Sequence, residues 1–391
     1  MTLSAKRTSF ASILISLATI FHGSRAGAQP APRQLPIVRD LKISGTANDL
    51  SPLSSIAVSP RGWIAIGQRQ DGQVRVFGAD GAERFNFGHA GAGPGAFRML
   101  AGFSGWVGDT LWLADGVLNR LTMITPAGKL LRTKPFPAPN SAGRVSPPGA
   151  PSQLAMYVFG VDAQGWLLTS SLIRHASLNE SWKKAASGAQ STIWRISPDG
   201  QEARFLGFEP LRVDGCREGA FELVQIQCPL TEFGHSPSGD RFVIARPGSS
   251  SGPQASFWIT VVGPRGDSLV HRQLHYRATP TPRAIVDSSR AACRARESKE
   301  ARRDACTELS YAPYVRHVHR VVLGQDHTIW LELRRDAKGR HWLLLSPAAE
   351  TIGEVTFPPT FMLWVASRTT AWGKEEDVDG IESVVRYRIG R

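Results

Sequence analysis

The sequence predicts an all-β chain closed into a six-bladed β-propeller of four-stranded antiparallel blades. Three observations carry this. A turn recurs five times, at 78–81, 125–128, 197–200, 263–266 and 346–349, each time between two β-rich runs. A second hairpin precedes every one of these turns, and a sixth lies at 362–372. A lone β-like run stands before the first unit, and the last unit lacks one strand.

In chain order the first element is not part of the fold. Lys6 and Arg7 precede an apolar run over 10–21, and Ala26, Gly27 and Ala28 follow as small residues at a cleavage position. This is the three-part pattern of a secretory signal peptide, so 1–28 is expected to be removed and the propeller to occupy 36–391. Past residue 30 no apolar run approaches the roughly 20 residues that a membrane span requires. A periplasmic or secreted protein is expected.

The run 36–44 reads as the spare strand. The paired hairpins then follow: 56–67 with 74–87, 103–114 with 121–135, 157–169 with 193–208, 233–245 with 258–276, and 318–333 with 342–357. Four of the five recurring turns carry Pro in the first central position, at Pro126, Pro198, Pro264 and Pro347. Proline presets φ there, and glycine after it tolerates a positive φ. The sixth unit, 362–372 with 384–389, ends one strand short. Pairing 36–44 with it closes the ring and removes two open sheet edges. Six blades need about 250 residues, which leaves over 100 for insertions.

One stretch carries a family likeness. Phe87, Gly88, Gly91, Gly93, Pro94, Gly95 and Phe97 form a glycine-rich segment, followed by Leu111, Trp112, Asp115, Asn119 and Arg120. This text resembles the inter-blade loop and strand-turn-strand of NHL-repeat propellers. The resemblance implies a six-bladed propeller and a structural role for Arg120. A phosphate cradle is the competing reading of the glycines. It would need a helix after them, and a short strand is expected instead.

The long irregular segments 136–154, 209–230 and 277–314 join one blade to the next, and 173–190 joins the second and third strands of a blade. All four fall on one face, where function on a scaffold concentrates. A basic residue lies just past the second strand in each blade: Arg69, Arg120, Arg174, Arg246, Arg334 and Lys374. Such a ring would focus an anionic ligand at the channel mouth. Lys and Arg number 46 against 33 Asp and Glu, which suits an anionic partner; nucleic acid is not expected for an exported chain.

Cys216, Cys228, Cys293 and Cys306 are expected to form two disulfides. Local pairing, Cys216 with Cys228 and Cys293 with Cys306, is preferred among the three arrangements, with a zinc site as the competing reading. The segment 283–310 reads as helical. A straight helix would hold Cys293 and Cys306 about 19 Å apart, so either it folds back or each pairs elsewhere.

Gly-x-Ser-x-Gly text occurs at 248–252, but between two β-like runs and not ahead of a helix, so no nucleophile elbow is read there; no His-Glu-x-x-His motif occurs. Glu232, His235, His317 and His319 are the candidates for the axis, and His317 with His319 is a weak candidate metal pair. The expectation is a monomeric, non-enzymatic scaffold without a cofactor. It would engage a protein, an anionic small molecule or an acidic polysaccharide on its loop-rich face. The alternative is a lyase- or lactonase-type enzyme with axial Ca²⁺ or Zn²⁺.

Overall fold

The computed structural model describes residues 32–50, 52–136, 156–172, 189–210, 217–218, 223–248 and 254–390. Strands are numbered in chain order, beginning with β1, Ile37–Ile43. Blade one is β2 Leu53–Val58, β3 Ile64–Gln68, β4 Gln73–Phe77 and β5 Glu83–Ala90, with β6 Ala96–Phe97 added in parallel to β5. Blade two is β7 Leu100–Val107, β8 Thr110–Asp115, β9 Arg120–Ile124 and β10 Leu130–Pro135. Blade three is β11 Met156–Val161, β12 Leu167–Leu172, β13 Ala189–Ile196 and β14 Ala203–Pro210. A two-stranded ribbon follows, β15 Arg217–Glu218 with β16 Leu223–Val224. Blade four is β17 Glu232–His235, β18 Phe242–Pro247, β19 Gln254–Val262 and β20 Ser268–Arg277. Blade five is β21 Arg320–Leu323, β22 Ile329–Asp336, β23 Gly339–Leu345 and β24 Thr351–Phe357. Blade six is β25 Phe361–Ala366, β26 Thr370–Glu376 and β27 Glu382–Ile389.

The expected closure is present. β1 pairs antiparallel with β27, from Ile37 opposite Ile389 to Ile43 opposite Val384. Asp40 fixes this seam by accepting from Arg386 at 2.8 and 2.9 Å and from Arg388. Burial raises the Asp40 pKa, but the hydrogen bonds and charges of Arg386 and Arg388 outweigh it and hold the carboxyl below its ordinary value.

The turn signals act as predicted. In all five recurring turns the fourth residue donates its N–H to the carbonyl of the first, at 2.9 to 3.1 Å. Each fourth residue has a positive φ: Gly81, Gly128, Gly200, Gly266 and, without the usual glycine, Ala349. Gly128 shows why glycine is needed, since a Cβ there would meet the Phe85 ring at 2.7 Å. β3 is buried at all five positions because blades cover both of its faces.

Burial follows the ring. Six apolar clusters among the described residues each join two neighbouring blades. Trp112, Leu121 and Met123 of blade two meet Val158, Leu167 and Trp194 of blade three. Ile43 and Val384 meet Ile64 and Phe77 where blade six meets blade one. Burying apolar surface at about 25 cal/mol per Å² makes each such seam a stabilising joint.

The insertion between blades four and five is helical. Helices Arg283–Arg296 and Glu300–Glu308 fold back on each other, and the Cys293–Cys306 disulfide joins them with Cα atoms 5.7 Å apart. Glu297 pairs with Arg302 at 3.3 Å, not with Arg294, because the chain leaves the helix at Glu297. Val286 and Leu309 of this insertion pack on Ile226 of the preceding inter-blade loop. Ile226 also exchanges backbone hydrogen bonds with Ser310 and Ala312, so the two insertions form one cap. Cys228 is disulfide-bonded as well; Cys216, expected as its partner, lies outside the described residues. Among the described residues no helix is long and apolar enough to cross a membrane.

Candidate functional site

A cavity of about 800 Å³ occupies the propeller axis. The innermost strands of all six blades line it: β2, β7, β11, β17, β21 and β25. Each innermost strand starts on the loop-rich face and ends at a short turn on the opposite face, so position along the strand gives depth.

The wall changes character with depth. At the loop-rich mouth stand Ser54, Ser55, Glu209, Glu232, His319, Arg320, Arg335 and Arg340. Further in stand Phe159, Phe233, His235, Val321, Leu323, Trp106 and Trp364. Phe159 stacks on His235 at 4.7 Å with 16° between planes, and Phe233 lies 5.9 Å from Phe159. Burial depresses the His235 pKa to about 4, so this ring is neutral near pH 7. Gln325 stands at the far end. Its backbone N–H donates to Ala366 of blade six, and its side chain donates to Val58 of blade one at 2.5 Å.

The mouth is built on a bulge in β22. Its register slips between Glu332 and Arg334. Strict alternation would put Glu332 and Arg334 on one side of the sheet; the extra residue puts Arg335 there instead. Arg335 grips the fully buried Glu332 with two hydrogen bonds, at 2.7 and 2.6 Å, and Arg340 adds a third at 3.2 Å.

Arg320 opens β21 directly opposite Glu332. The neighbouring arginines have taken the oxygens of Glu332. Beyond the strand ladder, the Arg320 guanidinium makes no hydrogen bond or ion pair with any described residue. Burial is the largest influence on its guanidinium and lowers the pKa; Glu332 and, least of the five influences, Glu232 oppose this, while Arg340 and Arg335 add to it. His319 beside it is held neutral, its pKa pushed to about 4 by burial and by Arg316, Arg335 and Arg340.

Of the residues expected at the axis, Glu232, His235 and His319 line the cavity and His317 does not. Residues 317–319 lie just before β21 rather than on a strand, so the two imidazoles diverge. His317 stacks on Tyr276 and lies 4.6 Å from Phe257, in a separate small void. Among the described residues no group of three or more His, Cys, Asp or Glu could hold a metal ion.

The expected basic ring is heterogeneous. Arg69 and Arg246 are exposed on the loop-rich side. Arg120 opens β9 and donates to the carbonyls of Ala92, Gly93 and Ala96, clamping the glycine-rich segment. Asp115 holds the same segment by accepting from the backbone N–H of Arg98 at 2.8 Å. Arg334 contacts Asp336 at 2.9 Å, and Lys374 pairs with Glu382. Arg174 lies outside the described residues. Sequence reasoning missed Arg320, Arg335 and Arg340. The available signal was the acid Glu332 inside the apolar run 329–333, which demands cationic partners once buried.

No family model matches the chain, and no curated protein matches it. Solved structures resemble it at low identity. A member of the DUF4221 family from Bacteroides vulgatus is 11% identical, with a TM-score of 0.48 over 92% of this chain and 98% of that one. A protein described as exported, from Bacteroides fragilis, is 10% identical, with a TM-score of 0.44 over 91% and 96%. Catalytically inactive virginiamycin B lyase from Staphylococcus aureus, with quinupristin, is 11% identical, with a TM-score of 0.41 over 90% and 99%.

Proposed function

We propose that the protein is an exported, monomeric binding propeller whose ligand is a small anion-bearing molecule held at the loop-rich mouth of the axial cavity. The observation that carries this reading is Arg320: a desolvated guanidinium facing the cavity without a hydrogen-bonding or ion-pair partner among the described residues. Buried charges are ordinarily paired. An incoming carboxylate or phosphate would complete the pair, and guanidinium geometry suits both. The volume lies in the range of small-molecule sites, about 300–1,000 Å³. Of the basic ring, the exposed Arg69 and Arg246 contribute positive potential on the loop-rich side, steering an anion rather than contacting it; Arg334 and Lys374 are offset by Asp336 and Glu382. The signal-like leader and disulfide-bonded Cys228, Cys293 and Cys306 support export.

The test is a thermal titration with inorganic phosphate and with acetate at constant ionic strength. The expected result is a saturable rise in Tm at millimolar anion that Arg320→Met abolishes and that Arg265→Ala, on the exposed 263–266 turn of blade four, preserves. An unchanged Tm, or a rise that survives Arg320→Met, overturns the reading.

A further inference from the structure

We infer that the natural ligand is an aromatic carboxylate, bound with its acid group on Arg320 and its ring inserted toward the floor of the axial cavity. This deepens the reading of the mouth as an anion site and rests on it. The carrying observation is the division of the wall. Every charged lining residue stands at the mouth, on the first residues of innermost strands or at the loop-side ends of other strands. The inner residues Phe159, Phe233, Val321, Leu323, Trp106 and Trp364 bear no charge, and His235 among them is neutral.

A bare inorganic anion would use the mouth and leave the inner volume unfilled. A sugar acid would set several hydroxyl groups against these rings and aliphatic side chains; the polar side chains at that depth, Ser238 and Gln325, already donate to Asp240 and Val58. A flat ring can extend the near-parallel stack of Phe159 on His235, whose planes differ by 16°. Polarity therefore fixes the orientation, head at the mouth and ring inward. Glu232 stands near Arg320 at the same mouth and disfavours a second negative charge, so a monoanion is preferred over a dianion.

Calorimetric titration of the full chain with 2-naphthoate, 2-naphthamide and acetate tests this. 2-Naphthoate is expected to bind at least about tenfold more tightly than acetate, since ring burial adds to the head contact. 2-Naphthamide keeps the ring and loses the charge, and is expected to bind about tenfold or more weakly than 2-naphthoate. Arg320→Met should lower 2-naphthoate to the level of 2-naphthamide and leave 2-naphthamide unchanged. Trp364→Ala should weaken both aromatic probes and leave acetate unchanged. Glu232→Gln should tighten 2-naphthoate several-fold. If Arg320→Met does not fold, Arg320→Lys serves: it keeps the charge without the fork and should weaken 2-naphthoate several-fold.

The failures separate. Acetate and 2-naphthoate binding equally, both lost in Arg320→Met, would leave the anion site standing and overturn the aromatic class. 2-Naphthamide binding as tightly as 2-naphthoate, with Arg320→Met without effect, overturns the anion site and with it this inference. Absence of binding by all three probes overturns both.

Discussion

Glu332→Gln is the most informative perturbation of the mouth. The carboxylate is fully buried and is held by Arg335 and Arg340 through three hydrogen bonds of 2.6 to 3.2 Å, with Arg320 opposite. The amide keeps the shape and removes the charge, so three guanidinium groups lose their common counter-charge. Breaking one partner out of a buried ion pair costs about 3–5 kcal/mol. Unfolding entropy of about 2.1 cal/mol/K per residue gives a chain of this size about 0.75 kcal/mol/K, which converts that cost to roughly 4–7 °C in Tm. The assay is calorimetric unfolding at pH 7 and moderate salt. A second variant, Glu332→Gln with Arg335→Met, should recover part of the loss, because one orphaned cation is gone. A drop below about 1 °C in the single variant, or a double variant that merely adds two losses, would refute the reasoning that charge compensation organises this mouth.

Other outcomes follow from the same geometry. Asp40→Asn should destabilise the ring seam by about 1–2 kcal/mol at pH 7, the scale of charged hydrogen bonds. Because the folded Asp40 pKa is lowered, its contribution is present above the ordinary carboxylate range and fades as pH falls through the folded value, so variant and parent should converge in acid, below the ordinary carboxylate range. His235 and His319 are held neutral with pKa values near 4; unfolded histidine takes up its proton near 6.5, so stability should decline as pH drops from about 6.5 toward 4. His235→Phe should flatten that slope by about 1.4 kcal/mol per pH unit, read from urea unfolding across pH. Cys293→Ser with Cys306→Ser should cost about 2–3 kcal/mol locally, opening the helical insertion to proteolysis while the near-ultraviolet signal of the blades persists.

Much of the architecture is written locally. A turn such as Ser197-Pro198-Asp199-Gly200 specifies its own φ values, and the apolar runs beside it specify strands, so the hairpins are legible one at a time. Closure is legible too, because 36–44 and the short last unit leave a strand and a gap that match. The wall of the axis is not. Which residue of a strand faces the channel depends on register, and a single slip changes every assignment beyond it. The bulge after Glu332 is such a slip: it turns Arg335 inward and leaves Arg334 with Asp336 and His341. His317 and His319 likewise look equivalent by spacing, yet the irregular backbone before β21 sends one to Tyr276 and the other to the cavity. Glu232 and His235 were legible as axial because they begin and end a strand that needs no bulge.

The most direct measurement on the central claim is an anomalous-scattering map from crystals of the full chain soaked in bromide. The account predicts an ordered bromide within hydrogen-bonding distance of the Arg320 guanidinium at the loop-rich mouth of the axis. A map with no peak there, in which Arg320 instead closes onto Glu232, would contradict it.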